Sequence, residues 1–517
     1  MNNPGMPHHS VEMLPMDSFN QELVKNVHPP HWKNPDPSGR YNLVIIGAGT
    51  AGLVTAAVSA GLGAKVALIE RYLMGGDCLN VGCVPSKGII RASRTWSEFK
   101  RAEEFGLTMV GTAKQDFGMA MARMRQLRAQ LSRTDSASRF QQLGVDVYMG
   151  HGSFTGPQTL TVDGKTLSFT KAVICTGARA IMLPIPGLQE TGCLTNESAF
   201  SLTELPVRLA VIGAGPIGCE LAQAFARFGS QVVVFEQECR ILPREDREAA
   251  EIVKQSMSRD GVQFICDANI TEISRRDGHK IIHYAVAGNS LDIAVDEILV
   301  GIGRAPNVEN LGLEKVGVAY DSRRGVTVNN RLQTTNAKIY AAGDICFPLK
   351  FTHTADAMAK IVIQNALFPH PLGLGYASTD SLIIPWCTYT DPEIAHVGLY
   401  EEEAKTKGVE IDTFVVDMKD VDRAVLDGED KGFAKVHVKQ GTDQLVGATI
   451  VSAHAGDLIS ELTLAIKTGT GLRAIADTIY PYPTQAEVLK KVANAWRKTT
   501  FTERKQYVLS KWFTWSK

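Results

Sequence analysis

The chain has 517 residues, of which 44% are hydrophobic and 21% charged, and its formal net charge is −1. This length allows two to four domains with a large buried core, and the near-neutral charge argues against a nucleic-acid partner. No apolar run reaches the ~20 residues of a membrane span, and residues 1–20 do not have the pattern of a secretory signal, so we expect a cytoplasmic protein.

The first 40 residues are predicted to form an irregular extension. They contain four histidines among several prolines, and these are His8, His9, His28 and His31. A metal-binding arm is one interpretation, but a polar extension on the protein surface is favoured. The chain has no Cys-x-x-Cys or His-x3-His spacing, which disfavours a structural zinc site. We therefore expect no resident metal ion.

Two stretches of the chain repeat one pattern. Residues 41–52 read YNLVIIGAGTAG, and residues 208–218 read RLAVIGAGPIG. Each predicts a strand, a Gly-x-Gly-x-x-Gly turn, a helix and a second strand, which ends in Glu70 or Glu236. Two such units, each with an acid about 20 residues after the turn, predict two dinucleotide sites. The glycines of the two turns are Gly47, Gly49, Gly52, Gly213, Gly215 and Gly218.

The spacing of these glycines has a physical reason. Gly47 and Gly49 let the backbone turn and approach a pyrophosphate, and Gly52 lets the helix pack closely on the strand. The helix N-terminus offers N–H groups and a partial positive charge to the phosphates. Glu70 and Glu236 can each accept hydrogen bonds from a ribose diol.

Between the two units, Cys78 and Cys83 lie five positions apart in the sequence GGDCLNVGCVPSK. Their place shortly after a dinucleotide turn predicts a redox-active dithiol beside a bound flavin. Cys83 precedes Pro85 and a predicted helix, so we expect its thiolate to be stabilised by the helix N-terminus and by Lys87. The other cysteines have no partner spacing and are interpreted as core or surface thiols: Cys175, Cys193, Cys219, Cys239, Cys266, Cys346 and Cys387.

Beyond residue 380 the pattern changes to that of a separate α+β domain. Strands are predicted over 433–438 and 445–451, and helices over 460–467 and 486–496. The tail, 501–517, mixes aromatic residues with lysines. Such a segment can lie on a membrane surface, but packing of the aromatic stripe on its own protein is the favoured interpretation.

Several separated blocks resemble one family. They are the two glycine turns, the CLNVGC segment, CTG at 175–177, GRAPN at 303–307 and AAGD at 341–344. Over roughly residues 41–500 the chain resembles the flavin-dependent pyridine nucleotide–disulfide oxidoreductases, which include lipoamide dehydrogenase, glutathione reductase and mercuric reductase. Residues 220–227, ELAQAFAR, are most similar to mercuric reductase.

The resemblance implies an α/β fold with two Rossmann-like dinucleotide-binding domains, for FAD and NAD(P), and a C-terminal α+β domain that forms a homodimer. The FAD domain would be split around the NAD(P) domain. The expected segments are an extension at 1–40, FAD domain at 41–187 and 307–378, NAD(P) domain at 188–306, dimerisation domain at 379–500 and tail at 501–517.

The resemblance also implies roles for individual residues. Glu70 would bind the adenosine ribose of FAD and Asp344 its ribityl chain, while Lys87 would lie near the flavin ring, paired with Glu220. Electrons from NAD(P)H would pass through the flavin to a Cys78–Cys83 disulfide, with Cys83 nearer the flavin and Cys78 meeting the substrate. The remaining expected cofactor-binding residues are Thr176, Gly177, Gly303 and Gly343.

The choice of nicotinamide is predicted from Glu236. A carboxylate at this place accepts the ribose 2′-OH and repels a 2′-phosphate, so we expect NADH to be preferred over NADPH. Arg240 and Arg244 lie near enough in sequence to weaken this prediction, because an arginine can pair with a phosphate.

The family's disulfide reductases carry His-Pro-Thr-x-x-Glu near the C-terminus, reaching across the dimer. This chain has Tyr482 in place of the histidine and retains Glu487. A phenol, with pKa ~10 against ~6.5 for imidazole, is a poor proton shuttle at neutral pH. Mercuric reductases also have tyrosine here, but they have a vicinal cysteine pair near the C-terminus, whereas the last cysteine of this chain is Cys387.

Three functions remain open from the sequence. The leading hypothesis is a mercuric reductase-like enzyme acting on Hg(II), bound by Cys78 and Cys83, or on another soft-metal or thiol-reactive acceptor. The first alternative is a dihydrolipoamide dehydrogenase, which Tyr482 disfavours. The second alternative is a flavin-binding subunit whose dithiol senses redox state without turnover.

Overall fold

The computed structural model describes residues 13–108, 111 and 113–517. It divides into two compact units. The first contains residues up to Cys239 together with 263–382, and the second contains 240–262 together with 383–517. His8 and His9, which belong to the predicted extension, lie outside the described residues.

The first half of the first unit alternates strands and helices. The near-continuous apolar run of its first strand, residues 43–46, is typical of a parallel strand buried on both faces. The elements are α1 (Ser18–Val27), β1 (Arg40–Ile46), α2 (Thr50–Gly61), β2 (Val66–Glu70), α3 (Gly76–Asn80), α4 (Cys83–Lys100), α5 (Phe117–Ser132), α6 (Ala137–Gln142), β3 (Val145–Met149), β4 (Ser153–Gly156), β5 (Thr159–Val162), β6 (Lys165–Ile174), β7 (Ala178–Ala180) and α7 (Leu188–Thr191).

The central part of the chain repeats the strand–helix–strand pattern and then returns to the first sheet. Its elements are β8 (Arg208–Ile212), α8 (Pro216–Phe228), β9 (Gln231–Glu236), α9 (Arg247–Arg259), β10 (Gln263–Cys266), β11 (Asn269–Arg276), β12 (His279–Val286), β13 (Asn289–Val295), β14 (Glu297–Val300), β15 (Arg304–Pro306), β16 (Tyr320–Asp321), β17 (Gly325–Val326), β18 (Ile339–Ala341) and α10 (Thr352–Leu367). Of these, α9 belongs to the second unit.

Two sheets of the first unit carry the glycine turns. The larger has the order β3-β2-β1-β6-β5-β4, with β18 also pairing with β6. The smaller is parallel, with the order β10-β9-β8-β14, and an antiparallel sheet β11-β12-β13 accompanies it. The return of β18 to the sheet of β1 is what a domain interrupted by an insertion requires, and the arrangement confirms the predicted α/β class.

The second unit is built on an antiparallel sheet of order β19-β20-β23-β22-β21. The predicted strands at 433–438 and 445–451 are confirmed, and the two predicted helices are present but begin and end at different residues. Its elements, besides α9, are β19 (Trp386–Thr388), β20 (Glu393–Gly398), α11 (Glu401–Thr406), β21 (Ile411–Asp417), α12 (Asp422–Leu426), β22 (Phe433–Lys439), β23 (Leu445–Ser452), α13 (Ala455–Thr468), α14 (Leu472–Asp477), α15 (Glu487–Thr499) and α16 (Glu503–Trp515).

Ion pairs and buried hydrogen bonds explain why the segment 240–262 belongs to the second unit. The Lys435 ammonium lies 2.8 Å from Asp246 and 2.6 Å from Glu248. The buried Glu245 carboxylate accepts hydrogen bonds from Trp386 Nε1 and the Tyr400 hydroxyl, both at 2.9 Å, and burial raises the pKa of Glu245. These contacts hold the start of α9 against the sheet of this unit.

The prediction of an irregular N-terminal extension is wrong for α1. Asp17 caps this helix by accepting a hydrogen bond from the Asn20 backbone N–H at 2.9 Å, and Leu23 and Val27 are fully buried. An Asp cap followed by apolar residues four apart is the sequence signal of a helix. The prolines around this helix favoured the prediction of an irregular segment.

The tail also differs from its favoured interpretation. Residues 503–515 form α16, but no residue of this helix is buried, and the Trp512 side chain is 56% exposed. The aromatic stripe therefore does not pack into the core of its own chain. No described helix has both the length and the apolar character needed to cross a membrane.

We expect Asn20→Ala to lower the free energy of unfolding by about 2 kcal/mol. The Asn20 side chain accepts a hydrogen bond of 2.7 Å from Arg128 Nη2, and both side chains are buried. Burial lowers the pKa of Arg128 to about 10, which shows that its charge is already poorly solvated. Loss of the hydrogen bond to Asn20 therefore destabilises the folded protein further. Urea denaturation measures the effect, with the exposed Gln21→Ala as control; equal losses in both variants would contradict this account.

Candidate active site: two glycine turns and a dithiol

The first glycine turn has the close packing that its sequence predicts. Gly47 has φ +103°, and a Cβ on it would overlap the Cys175 carbonyl oxygen. A Cβ on Gly52 would overlap the Gly47 carbonyl oxygen, and Gly49 caps the start of α2. The turn therefore brings the N–H groups of the helix N-terminus to the carboxyl end of β1, where an anionic ligand binds.

The second turn reproduces these contacts. Gly213 has φ +101°, and a Cβ on Gly218 would overlap the Gly213 carbonyl oxygen. Gly215 caps α8, which begins with Pro216. The repeat found in the sequence is therefore a repeat of geometry.

The two predicted ribose acids also occupy equivalent positions. Glu70 Oε2 accepts a hydrogen bond of 2.7 Å from the Ala48 N–H, and Glu236 Oε2 accepts one of 2.9 Å from the Ala214 N–H. Each acid thus ends a strand and is fastened to the glycine turn of its own unit. Burial raises the pKa of Glu70, although the backbone N–H groups of Ala48, Tyr72 and Arg71 and the charge of Arg71 oppose the rise.

The first turn forms a cradle that fits the predicted FAD. A Cβ on Gly76 would lie 2.6 Å from the Gly49 Cα, so only a side chain as small as hydrogen leaves this approach open. The helix N-terminus of α2 and the acid Glu70 border the same place. FAD would supply a two-electron relay there, held by the residues that its two phosphates and its ribose require.

The other predicted cofactor-binding residues lie at backbone turns. Gly177, Gly303 and Gly343 have φ values of +67°, +135° and +86°. The Thr176 hydroxyl donates a hydrogen bond of 2.8 Å to the Asn307 carbonyl oxygen. Thr176 therefore fixes the GRAPN segment against the CTG segment, a contact between two of the predicted blocks.

Asp344 has a partner that the sequence did not predict. Its carboxylate lies 3.5 Å from the Arg304 Nε, and Arg304 also donates to the Asp77 carboxylate and, at 2.6 Å, to the Ala178 carbonyl oxygen. Burial lowers the pKa of Arg304. This arginine thus joins the residue before Cys78 to the expected ribityl-binding acid.

Cys78 and Cys83 lie together, on two consecutive helices. Cys78 is in α3, and Cys83 is the first residue of α4. Both are free thiols in this structure, so it shows the reduced form of the predicted disulfide. The Cys83 sulfur lies 3.5 Å from the hydroxyl of Thr352, the first residue of α10.

The two thiols titrate very differently. The Cys78 thiol donates a hydrogen bond to Cys83, and chiefly for this reason the pKa of Cys83 falls to about 6, while that of Cys78 rises far above its usual value. Burial opposes the fall for Cys83, whereas Thr352 and Lys87 assist it. The contact between the two thiols therefore favours a thiolate on Cys83 over one on Cys78, and stabilisation of the Cys83 thiolate is what the sequence predicted.

Lys87 lies one helical turn beyond Cys83. Its ammonium is 2.9 Å from the Glu220 carboxylate, with side chains 35% and 7% exposed respectively. The predicted pairing of these two residues is therefore confirmed. It places a positive charge near the Cys83 thiolate and balances that charge with a buried acid, so the two members of the ion pair act on the pKa of Cys83 in opposite directions.

Lys87→Met is expected to raise the pKa of Cys83, by about one unit. The change removes a positive charge that favours the thiolate and leaves the Glu220 carboxylate, which disfavours it. Iodoacetamide alkylation of Cys83, followed by mass spectrometry across pH, measures the thiolate. Half-maximal rate should come near pH 6 in the unmodified protein and higher in the variant. An unchanged profile, or an equal shift in the control Arg91→Met one turn further along α4, would contradict the assignment.

Tyr482 and Glu487 lie in the second unit. The Tyr482 hydroxyl donates a hydrogen bond of 2.8 Å to the Asp422 carboxylate, and its side chain is 71% exposed. This contact raises the pKa of Tyr482. Glu487 Oε2 is buried and has no hydrogen-bond partner among the described residues. Tyr482 is therefore held by Asp422 and not by the acid that follows it in the motif.

The interpretation of the remaining cysteines as thiols is wrong for Cys239 and Cys266, which form a disulfide. Cys266 ends β10, in register with Glu236 at the end of β9, and Cys239 follows Glu236 by three residues. Parallel pairing of the two strands thus brings together cysteines 27 positions apart. The other five are thiols, as predicted.

The part of the chain that the structure describes holds no cluster of three or more His, Cys, Asp or Glu residues placed to bind a metal ion. Of the N-terminal histidines, His28 instead contacts the Tyr72 carbonyl oxygen through Nδ1. Thr352 and Arg304 were not predicted as site residues from the sequence. Thr352 is 269 positions from Cys83, and no local pattern connects residues so far apart.

Two family models match the chain. The model described as pyridine nucleotide-disulphide oxidoreductase matches residues 41–359, and the model of the dimerisation domain of these oxidoreductases matches residues 384–493.

Individual proteins are similar over most of their length. Mercuric reductase from Staphylococcus aureus is 36% identical over 455 residues, covering 88% of this chain and 82% of its own. Dihydrolipoyl dehydrogenase from Bacillus subtilis is 32% identical over 475 residues, covering 88% and 98%. The solved structure of the HOCl-induced flavoprotein disulfide reductase RclA from Escherichia coli is 29% identical, with TM-score 0.77 and coverage of 88% and 99%.

Proposed function

The chain belongs to the pyridine nucleotide-disulphide oxidoreductase family, and on that basis we propose that it is an FAD-dependent NAD(P)H oxidoreductase in which electrons leave through Cys78 and Cys83. We propose Hg(II), or another soft-metal or thiol-reactive species, as the acceptor. The observation that carries the proposal is the place of the two thiols: Cys78 lies in α3, and Cys83 begins α4 with its sulfur 3.5 Å from the Thr352 hydroxyl. The contact with Cys78 lowers the pKa of Cys83.

Different residues of the chain bind FAD and stabilise the dithiol. When bound, FAD supplies the two-electron relay between the nicotinamide and the sulfurs. Glu70 and the first glycine turn hold its adenosine end, and Lys87 compensates the negative charge on Cys83. Reduction of the Cys78–Cys83 disulfide takes up two electrons and one proton and yields the Cys83 thiolate and the Cys78 thiol.

A soft metal ion suits this pair. Thiolates are the ligands that soft metals prefer, and Hg(II) would bind both sulfurs with loss of the Cys78 proton. The two sulfurs would then give two electrons to Hg(II), so that Hg(0) leaves and the Cys78–Cys83 disulfide forms again. Similarity to mercuric reductase supports this acceptor. A solved structure described as a Cu(II) complex of RclA, 28% identical with TM-score 0.77, supports a metal acceptor more broadly.

Steady-state NADH oxidation tests the proposal. The purified holoenzyme is assayed with Hg(II), Cu(II), lipoamide and oxidised glutathione as acceptors, in parallel with Cys78→Ser and, as control, Cys193→Ser. We expect metal-dependent NADH oxidation that Cys78→Ser abolishes and Cys193→Ser leaves intact. Faster turnover of lipoamide than of either metal, or metal turnover independent of Cys78, would refute the proposed acceptor.

Dihydrolipoamide dehydrogenase remains the second candidate because the Bacillus subtilis enzyme aligns over 98% of its length. Tyr482 argues against it, since its phenol is held by Asp422 with a raised pKa and cannot accept the thiol proton at neutral pH. A direct assay of NAD⁺ reduction by dihydrolipoamide decides between the two candidates.

We propose that two copies of the chain form a homodimer through the second unit, as the matched dimerisation domain suggests. In such a dimer, Tyr482 and Glu487 of one copy would approach the Cys78 thiol of the other. There Tyr482 would lie beside the acceptor and donate a hydrogen bond rather than shuttle protons, and the Glu487 carboxylate would accept one.

NADH is proposed as the preferred reductant, and Glu236→Gln is expected to lower the ratio of kcat/KM for NADH to that for NADPH by about tenfold or more. The carboxylate repels a 2′-phosphate, and Arg240, which could attract one, instead donates to the Glu245 carbonyl oxygen at 3.0 Å. Steady-state kinetics with both nucleotides measure the ratio. Glu238→Gln, in the same exposed turn, is the control; an equal change there would contradict the role of Glu236.

A further inference from the structure

The Cys239–Cys266 disulfide lies beside the second ribose acid. The parallel register of β9 and β10 pairs Glu236 with Cys266, and the chain turns after Glu236 so that Cys239 reaches back to the end of β10. The bond therefore closes the turn 236–239 onto the neighbouring strand. This turn lies at the carboxyl ends of the strands, where ligands bind in parallel sheets.

The same turn holds the Glu236 carboxylate. Glu236 Oε1 accepts hydrogen bonds from the backbone N–H groups of Gln237, at 2.8 Å, and Glu238, at 3.3 Å. The orientation of the acid thus depends on the conformation of residues 237 and 238. Both residues are exposed, as is Cys239, so packing contributes little to their order.

The first glycine unit provides an internal comparison. Glu70 accepts a hydrogen bond of 2.8 Å from Tyr72, and it pairs in register with Met149 of β3. Its turn is held by contacts with the rest of the protein: Glu70 is buried, and His28 binds the Tyr72 carbonyl oxygen. The second turn is exposed, and the Cys239–Cys266 disulfide holds it in the way that burial holds the first turn.

We propose that Cys239 and Cys266 are a positioning pair for the nicotinamide nucleotide. Their disulfide orders the turn that presents Glu236 to the adenosine ribose. Reduction of this disulfide lowers the affinity for the nucleotide and reduces the preference for a ribose without a 2′-phosphate. This inference rests on the nicotinamide site of the proposed function. It makes nucleotide affinity depend on the redox state of a bond separate from the Cys78–Cys83 pair.

The redox step balances with a dithiol as the reductant. Two electrons and two protons pass to the Cys239–Cys266 disulfide, giving two thiols, and the dithiol becomes a cyclic disulfide. Exposure of Cys239 allows a small thiolate to attack, as exchange requires. The two free thiols then leave residues 237–239 attached to the sheet only through the backbone.

The test measures binding of two ligands that carry no reducing equivalents, ADP-ribose and 2′-phospho-ADP-ribose. Isothermal titration calorimetry is done on the oxidised holoenzyme, on Cys239→Ser and Cys266→Ser, and on Cys193→Ser as the matched control. Dithiothreitol treatment is applied to Cys78→Ser holoenzyme, so that the catalytic pair cannot form a disulfide. Peptide mapping follows the 239–266 link in each sample.

We expect the Kd for ADP-ribose to rise about three- to tenfold in both serine variants and after dithiothreitol, because the turn must then be ordered on binding, and the preference over 2′-phospho-ADP-ribose to shrink. The dithiothreitol arm needs no substitution in β10, so it stands even if Cys266→Ser does not fold. Equal affinities with and without the bond, a change of the same size in Cys193→Ser, or no 239–266 link in the oxidised protein would overturn the inference. Absence of ADP-ribose binding in the unmodified holoenzyme would instead refute the nicotinamide site itself.

Discussion

Replacing Cys83 with serine is expected to lower NADH-driven turnover of every acceptor by about a thousandfold or more. A serine hydroxyl at the start of α4 does not ionise at neutral pH, whereas the Cys83 thiol does, with a pKa of about 6. Without it, no disulfide can form with Cys78, and electrons have no covalent route to the substrate. Steady-state NADH oxidation measures the loss.

Cys193→Ser is the matched control for this change, since Cys193 is a free thiol of the same unit with no place in the site. The control should keep full turnover. Cys83→Ser retaining more than a tenth of the original rate with metal or disulfide acceptors would show that electrons bypass the dithiol.

Tyr482→His is expected to raise turnover of a disulfide substrate by about ten- to a hundredfold, because positioned general acid–base groups contribute at least this much. An imidazole titrates near neutral pH, whereas the Tyr482 phenol is held by Asp422, which raises its pKa further. Glu487 Oε2, which has no hydrogen-bond partner among the described residues, can orient the imidazole. Oxidised glutathione and lipoamide reduction measure the gain.

Tyr482→Phe distinguishes proton transfer by the new histidine from a simple loss of the Tyr482 phenol. It removes the hydrogen bond to Asp422 without adding a group that titrates, so disulfide turnover should not rise. A gain in Tyr482→Phe equal to that in Tyr482→His would mean that release of the phenol, and not proton transfer, is what limits the reaction. No gain in either variant would mean that residue 482 does not limit disulfide turnover.

The local features of this fold could be predicted from the sequence. The second strand of the first unit, β2, ends at Glu70 as predicted, and the glycine turns have the predicted packing, because a strand, a tight turn and a helix start are encoded within a dozen residues. The stabilisation of a thiolate on Cys83 was also predictable. It depends chiefly on Cys78, five positions before Cys83, and to a smaller degree on Lys87, four positions after it.

Contacts between distant segments could not be predicted in this way. Thr352 reaches Cys83, and Arg304 joins Asp77 to Asp344, only because separate strands and helices end at one place in the sheet. The Cys239–Cys266 bond depends on the register of β9 and β10, which cysteine spacing does not encode.

The capped helix α1 is a different kind of error. Its signal was local, in Asp17 and the buried Leu23 and Val27, but the prolines and histidines around it favoured an irregular segment. A cap followed by apolar residues at helical spacing deserves more weight than the composition of its flanks.

Anaerobic titration of the holoenzyme with NADH, followed by its absorption spectrum, tests the central claim most directly. If the Cys83 thiolate lies against the flavin, a long-wavelength band should develop at the two-electron stage and bleach on acidification through about pH 6. It should be absent in Cys83→Ser. A spectrum that passes directly to fully reduced flavin in the unmodified protein, or a band that survives in Cys83→Ser, would contradict the account.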